Sequence, residues 1–303
     1  GLFIDFSKAF DTINHDILLS KLKHYGIRGN LLNLITNYLS DRYQYVSYGD
    51  INSSLLKITC GVPQGSVLGP LLFILFINDI VNVNSIAKFI LFADDLNIFI
   101  QSNDRHWLYT QANNVIKDVY TYCQANLLII NFNKCCYMDF SQGSDYSNPK
   151  VGILDKCFKK VDSCKFLGVF INSNLKWDEQ LNNVATQVSK SCGSLYFIRN
   201  HVPTKVLRQV YLSLVQPYLT YCLPLWGYNF RNSEMQRIFT LQKKCIRIVC
   251  NKTAKVDGHF QHTKPLFFKL KLLTLFNLYN YFCGCFGMNI IRNKLPTQIF
   301  DRF

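Results

Sequence analysis

The sequence predicts an α+β domain followed by an all-helical one, and three observations carry that prediction. Short apolar, strand-like runs alternate with helical periodicity up to about residue 172, and strands largely vanish after Trp177. Hydrophobic residues make up 49% of the chain and charged residues only 17%, with 17 Tyr and 24 Phe. Such a composition builds sizeable cores and excludes disorder and low-complexity scaffolding. The 303 residues suffice for roughly two domains of about 150 each.

In chain order, Leu2-Phe3-Ile4 opens an apolar strand with Asp5 set into it. Ile13, Ile17, Leu18 and Leu22 make one helical stripe over 13–25, and Gly26 follows as a stop. A second helix is predicted over 31–39. Residues 43–48 and 55–60 read as paired strands, followed by the glycine-rich loop 61–70, with Pro70 opening a helix through Ile80. Strands at 88–91 and 96–100 flank Phe92-Ala93-Asp94-Asp95 as a tight hairpin. A helix from Asp104 carries Leu108, Val115, Val119 and Cys123, and strand-like pieces recur at 131–140 and 165–172. Helices are then predicted over 178–199, capped by Asp178, over 203–216 and over 232–250. The resulting division is a first domain over 1–175, a helical domain over 176–250 and a C-terminal helical extension over 251–303.

Charge is uneven. Residues 1–150 hold 11 Lys and Arg against 12 Asp and Glu, whereas 151–303 hold 22 against 7. One half is suited to chemistry and the other to holding a polyanion, most readily nucleic acid; a basic solvated surface is the plainer alternative. The 12 Cys show no CxxC pair and read as reduced and mostly buried. Cys245, Cys250, His259 and His262 are four potential ligands, but their spacing fits no common zinc module. The uncharged run Leu272 to Ile291 contains Asn277, Asn280 and Asn289 and reads as a buried helix pair rather than a membrane span.

Asp5 interrupts an apolar strand with no cation before Lys8, a costly position for a carboxylate unless a metal or a hydrogen-bond network satisfies it. Asp94 and Asp95 repel each other at a turn. Three Asp without nearby His or Cys point to a hard ion, Mg²⁺ or Mn²⁺, and two such ions about 4 Å apart serve in-line phosphoryl transfer. An ordinary polar turn would also carry the Asp94-Asp95 pair.

The string Phe3-Ile4-Asp5-Phe6-Ser7-Lys8-Ala9-Phe10-Asp11-Thr12, the loop Gly61-Val62-Pro63-Gln64-Gly65-Ser66-Val67-Leu68-Gly69-Pro70, and Phe92-Ala93-Asp94-Asp95 occur in this order. Together they resemble motifs A, B and C of the reverse transcriptases of non-LTR retrotransposons of the jockey type. Asn133-Lys134 resembles motif D, and Lys165-Phe166-Leu167-Gly168-Val169 resembles motif E.

The resemblance implies a right-hand polymerase palm, an antiparallel sheet with packed helices, followed by an α-helical thumb. It implies an RNA-directed DNA polymerase, a nucleotidyltransferase that adds deoxynucleoside triphosphates to a DNA primer on an RNA template, with no membrane involved. Asp5, Asp94 and Asp95 would be the metal-binding carboxylates. Phe10 would be the steric gate against a ribose 2′-hydroxyl, with a core aromatic as the alternative reading. Gln64, Gly65, Phe92 and Ala93 would line the substrate, and Lys134 would neutralise pyrophosphate unless it is simply an exposed lysine.

Lys165, Phe166, Leu167 and Gly168 would form the primer grip. Lys190, Arg199, Arg208, Lys243 and Arg247 would track the phosphates of the hybrid. The family's fingers would lie before Gly1, so the chain reads as a fragment that polymerises poorly alone. Reverse transcription at a genomic nick implies an intracellular, nuclear setting. An inactive remnant that binds nucleic acid, or an RNA-dependent RNA polymerase, would share many of these features.

Overall fold

In the computed structural model, residues 1–140, 149–252, 255–256, 259–260, 262–292 and 294 are described. The chain divides into two compact units, Gly1–Asp162 and Ser163–Phe303. The division falls before the 163–172 hairpin rather than near residue 175.

The first unit is organised by β1 (Leu2–Ile4), whose Leu2 and Ile4 are buried while Phe3 is half-buried. Helices α1 (His15–His24) and α2 (Gly29–Leu39) follow. The Asn14 side chain caps α1 by accepting from the Ile17 amide at 3.0 Å, and Gly26 ends the stretch at φ +88°. The strands foreseen at 43–48 and 55–60 are one interrupted hairpin, in which β2 (Tyr43–Gln44) pairs with β5 (Leu56–Lys57) outside β3 (Ser47–Tyr48) and β4 (Ile51–Asn52).

Helix α3 (Leu68–Ile77) begins two residues before Pro70, so the proline stands inside the first turn rather than opening it. Strands β6 (Lys88–Phe92) and β7 (Asp95–Phe99) and helix α4 (Arg105–Ala125), capped by Asp104, come next. The strand foreseen over 131–140 is only β8 (Cys136–Tyr137), after which β9 (Gly152–Ile153), β10 (Lys156–Cys157) and β11 (Lys159–Lys160) complete the unit.

Five of these strands make one sheet in the order β11-β8-β1-β7-β6. It is the antiparallel sheet expected, with one parallel pairing at its edge, where β11 runs alongside β8. Leu2, Ile4, Leu96 and Ile98 share a core with Phe73 and Phe76 of α3 and with Val115, Ile116 and Val119 of α4.

One half-buried polar knot ties this packing together. Lys21 Nζ donates to Asp79 Oδ1 and to the Phe76 carbonyl, both at 2.7 Å, and to Tyr122 Oη at 2.9 Å. Tyr122 Oη donates to the same Asp79 oxygen at 2.6 Å. Asp79→Ala would leave an ammonium and a phenol short of their shared acceptor, so unfolding in urea is expected to show a loss of about 2 kcal/mol.

The second unit begins with the hairpin β12 (Ser163–Phe166) and β13 (Val169–Asn172), two strands where the sequence suggests one run. Leu167 and Gly168, at φ +45° and +85°, form its turn. Helix α5 (Asp178–Ile198) starts at Asp178 itself, with left-handed Trp177 before it and no side-chain cap, so Asp178 acts in the first turn rather than as the N-cap.

The helix foreseen at 203–216 is broken into α6 (Thr204–Leu214) and α7 (Gln216–Thr220), where Pro217 can occupy an early helical position but not an interior one. Then come α8 (Leu223–Trp226), α9 (Ser233–Val249), α10 (Lys264–Leu270) and α11 (Leu275–Ile291). Phe267, Leu270, Leu275 and Leu278 enter the same core as Val188, Trp226 and Ile246, so residues 264–278 pack as part of the helical unit rather than as a separate extension.

Of the run 272–291, residues 275–291 form the one helix α11, and only Leu275 and Leu278 within that helix are buried, so the buried helix pair is not found. Among the described residues no helix is long and apolar enough to cross a membrane.

Candidate active site

The register of the central strands explains how residues 90 positions apart meet. In the β1–β7 pair Leu2 faces Ile98, Phe3 faces Asn97 and Ile4 faces Leu96. One step further, the same register carries Asp5 to the level of Asp95. Because side chains alternate across a strand, Phe3 and Asp5 lie on the sheet face opposite the Leu2 and Ile4 core. Asp94 comes from the two-residue turn between Phe92 and Asp95, which pair across the β6–β7 hairpin. Ala93 takes φ +51°, an uncommon conformation for a residue with a Cβ, and thereby fixes where Asp94 leaves the hairpin.

The three carboxylates feel one another. Burial raises the Asp95 carboxyl above the ordinary carboxylate range, and the Asp94 and Asp5 charges raise it further. A raised acid binds its proton more tightly folded than unfolded. The Asp95 contribution to metal-free stability is therefore fully present below the ordinary Asp value and is lost as pH rises through the raised one. Thermal melts of the parent and Asp95→Asn across that acidic range check the sign, and a parent that gains stability relative to the variant as pH rises would exclude this crowding.

Asp5 does not stand bare. Its Oδ2 accepts from Asn131 Nδ2 at 3.1 Å and lies 3.6 Å from Lys134 Nζ. The structure thus brings Lys134 to Asp5, on a turn closed by its own amide donating to the Asn131 carbonyl at 3.0 Å. Asn131 was not singled out from the sequence, although it lies two residues before the Asn133-Lys134 motif.

The donors are carboxylate oxygens only, which suits a hard divalent cation. Among the described residues no three His, Cys, Asp or Glu side chains converge into a finished ion cage, and the set with His262 does not form one either. The His259 side chain lies outside the described residues. Asp5 is instead held towards Asn131 and Lys134, so the carboxylates fit a cation once Asp5 turns from them.

Phe10 stacks on Phe73, ring centroids 4.5 Å apart, and remains half-buried at the core margin. Gln64 is exposed and donates through Nε2 to Asp11 Oδ1 at 2.9 Å, which joins the loop to the first motif. Gly61 secures that junction: it sits at φ +83°, and a Cβ there would meet the Asp11 carbonyl oxygen at 2.7 Å. Gly65, at φ +77°, has open space around it. Phe92 is exposed at the hairpin's end. Lys8, Arg42 and Lys57 line an open pocket of about 570 Å³ with Asp11 and Gln64; Lys57 shortly precedes the glycine-rich loop in sequence, and the 43–57 hairpin returns the more distant Arg42 to its side.

In the second unit, Lys165 and Phe166 lie on β12, and the turn residue Leu167 offers its carbonyl to Tyr221 Oη. Phe170 N donates to the buried Gln180 Oε1 at 3.0 Å, which fastens the hairpin to α5. Lys190 is exposed on α5. Arg199 folds over Tyr196, its guanidinium 3.4 Å from the ring centroid. Arg208 Nε donates to the Leu270 carbonyl at 2.7 Å, so part of that guanidinium closes the end of α10. Lys243 lies over Phe239 at 4.5 Å, and burial lowers Arg247 from its ordinary value.

The probable RNA-directed DNA polymerase from transposon BS of Drosophila melanogaster is 26% identical over 280 residues, covering 86% of this chain and 30% of its own length. The RNA-directed DNA polymerase from mobile element jockey, also of Drosophila melanogaster, is 25% identical over 257 residues, covering 82% of this chain and 28% of its own. The chain thus spans under a third of the length of these relatives. A telomerase from Candida albicans, solved with a TWJ fragment of telomeric RNA, aligns over 89% of this chain and 47% of its own at 12% identity and a TM-score of 0.42. A likeness that slight carries no weight beside the sequence match. The reverse transcriptase (RNA-dependent DNA polymerase) family model matches residues 1–171, which include Asp5, Asp94 and Asp95. With more than half of its length in that match, this chain belongs to the reverse transcriptase family, and its likeness within it is to the enzymes of jockey-type non-LTR retrotransposons.

Proposed function

We propose that the chain supplies the catalytic part of an RNA-directed DNA polymerase that extends a DNA primer with deoxynucleoside triphosphates on an RNA template. The observation that carries this is the register that sets Asp5 at the level of Asp95, beside Asp94. Carboxylates so crowded are best accommodated by cations, and Asp5, Asp94 and Asp95 are the residues that would hold them.

Two Mg²⁺ or Mn²⁺ ions there would lower the pKa of the primer 3′-hydroxyl and stabilise the leaving oxygen. Lys134, already beside Asp5, is placed to neutralise pyrophosphate when the carboxylate turns to the metal. Gln64, Gly65, Phe92 and Ala93 line the nucleotide, with Gly65 free of any Cβ that would obstruct it. Lys165, Phe166, Leu167 and Gly168 would hold the primer end, and Lys190, Arg199, Arg208, Lys243 and Arg247 the backbone of the hybrid. Action at a genomic nick would place the protein in the nucleus.

Phe10 favours DNA over RNA synthesis because its ring, stacked on Phe73, is held where it can crowd a 2′-hydroxyl. Extension of a DNA-primed RNA template with deoxynucleotides and with ribonucleotides tests both points. The chain is expected to use deoxynucleotides, and Phe10→Val to raise relative ribonucleotide use by roughly 10- to 100-fold. Ribonucleotide preference in the unaltered chain would make it an RNA polymerase, and unchanged discrimination in the variant would leave Phe10 a core residue.

A further inference from the structure

The helical unit contains an open pocket of about 670 Å³, within the roughly 300–1,000 Å³ of small-ligand sites. Its walls include Phe239, Phe267, Phe268 and Leu272, and its rim carries Lys243, Arg247, Lys264 and Lys271. No acidic side chain is among its described lining. Phe268 is 74% exposed, a large aromatic set in sequence between Lys264, four residues before it, and Lys271, three residues after.

The pocket floor is braced from beneath. Gln242 of α9, wholly buried, donates through Nε2 to Tyr211 Oη at 3.0 Å and to the Leu273 carbonyl at 3.1 Å, while its Oε1 accepts from Leu275 N at 2.8 Å. These bonds pin the connection between α10 and α11 onto α9. The same connection ends at Thr274, whose Oγ1 caps α11 by accepting from Asn277 N at 3.3 Å.

Aromatic walls within a ring of cations match a ligand that is flat and apolar in one part and anionic in the next. Single-stranded nucleic acid has that alternation, base then phosphate, and its bases are free to leave the stack. A duplex keeps its bases inside, and a purely acidic peptide would leave the aromatic walls unused. We propose that this pocket seats one unpaired nucleotide of a single-stranded segment, its base against Phe268 and its flanking phosphates on the surrounding lysines. The site shares Lys243 and Arg247 with the hybrid contacts named above, and Phe268, which is not among those contacts, is the residue that tells the two apart. The proposal rests on the reading that the chain handles nucleic acid but not on polymerisation, so Asp94→Asn leaves it intact.

Fluorescence anisotropy of the whole chain tests this with a labelled oligothymidylate of about ten residues, a length within the usual single-strand site sizes. A matched duplex, and an oligonucleotide carrying an abasic residue at each position in turn, serve as comparisons. Phe268→Ala should weaken the single strand by roughly tenfold, the worth of one stacked base, and leave the duplex within about twofold. Phe268→Trp should restore binding. The abasic position that costs most in the unaltered chain should cost nothing further in Phe268→Ala. Equal losses for single strand and duplex, no loss at all, or displacement of the oligothymidylate by poly-glutamate at equal charge would overturn the proposal, the last in favour of an acidic protein partner. Because Phe268 is exposed, its variants keep the fold, and unchanged thermal melting checks that they do.

Discussion

Asp94→Asn is expected to lower primer extension by roughly a thousandfold, about 4 kcal/mol of transition-state stabilisation, while the protein stays folded. Asparagine keeps the size of the side chain and suits the turn between Phe92 and Asp95, but it removes the charge and one anionic oxygen donor. In the metal-free protein that charge is a burden, since it helps raise the Asp95 carboxyl. The variant should therefore melt no lower than the parent, and slightly higher at neutral pH. Lost activity with retained stability separates a metal-holding group from a structural one. Extension near the parental rate would remove Asp94 from the metal site.

The second large effect concerns binding. Ser163–Phe303 contains 19 Lys and Arg against 5 Asp and Glu, while Gly1–Asp162 is balanced at 14 against 14. All of the net charge thus belongs to the helical unit, whose exposed cations include Lys190 and Lys244. Neutralising phosphates releases counterions, so with about six phosphate contacts an RNA/DNA hybrid should lose roughly a thousandfold in affinity between about 50 and 200 mM salt. Anisotropy titrations of the intact chain over that range give the slope directly. A nearly flat dependence would mean that the charge is only a solvated surface.

Local signals read directly from the chain fared unevenly, and the reasons are physical. The hairpin at Phe92-Ala93-Asp94-Asp95, the helix capped by Asp104 and the stripe of α1 depend on neighbours a few residues away, and each formed where its pattern lay. Pro70 and Asp178 are also local signals, but each tolerates more than one position in a first turn, so the helix starts moved by a residue or two. Residues 272–291 were apolar enough to suggest burial on all sides. The core of the helical unit had room for only one face, and Tyr281, Met288 and Ile291 remain exposed.

By itself the sequence determined the α+β-then-helical order, the charge separation and the three motifs, because composition, periodicity and motif spacing are properties of the chain alone. Only the tertiary structure decided that Asn131 and Lys134 hold Asp5, that Arg208 closes α10, that Gly61 must lack a Cβ against Asp11, and that Arg42 and Lys57 reach the loop beside Gln64. Those partners are 50 to 129 residues apart, or come from a hairpin with no motif of its own. Nothing in a local pattern encodes such distances; they are set by strand register and by which faces the core leaves free.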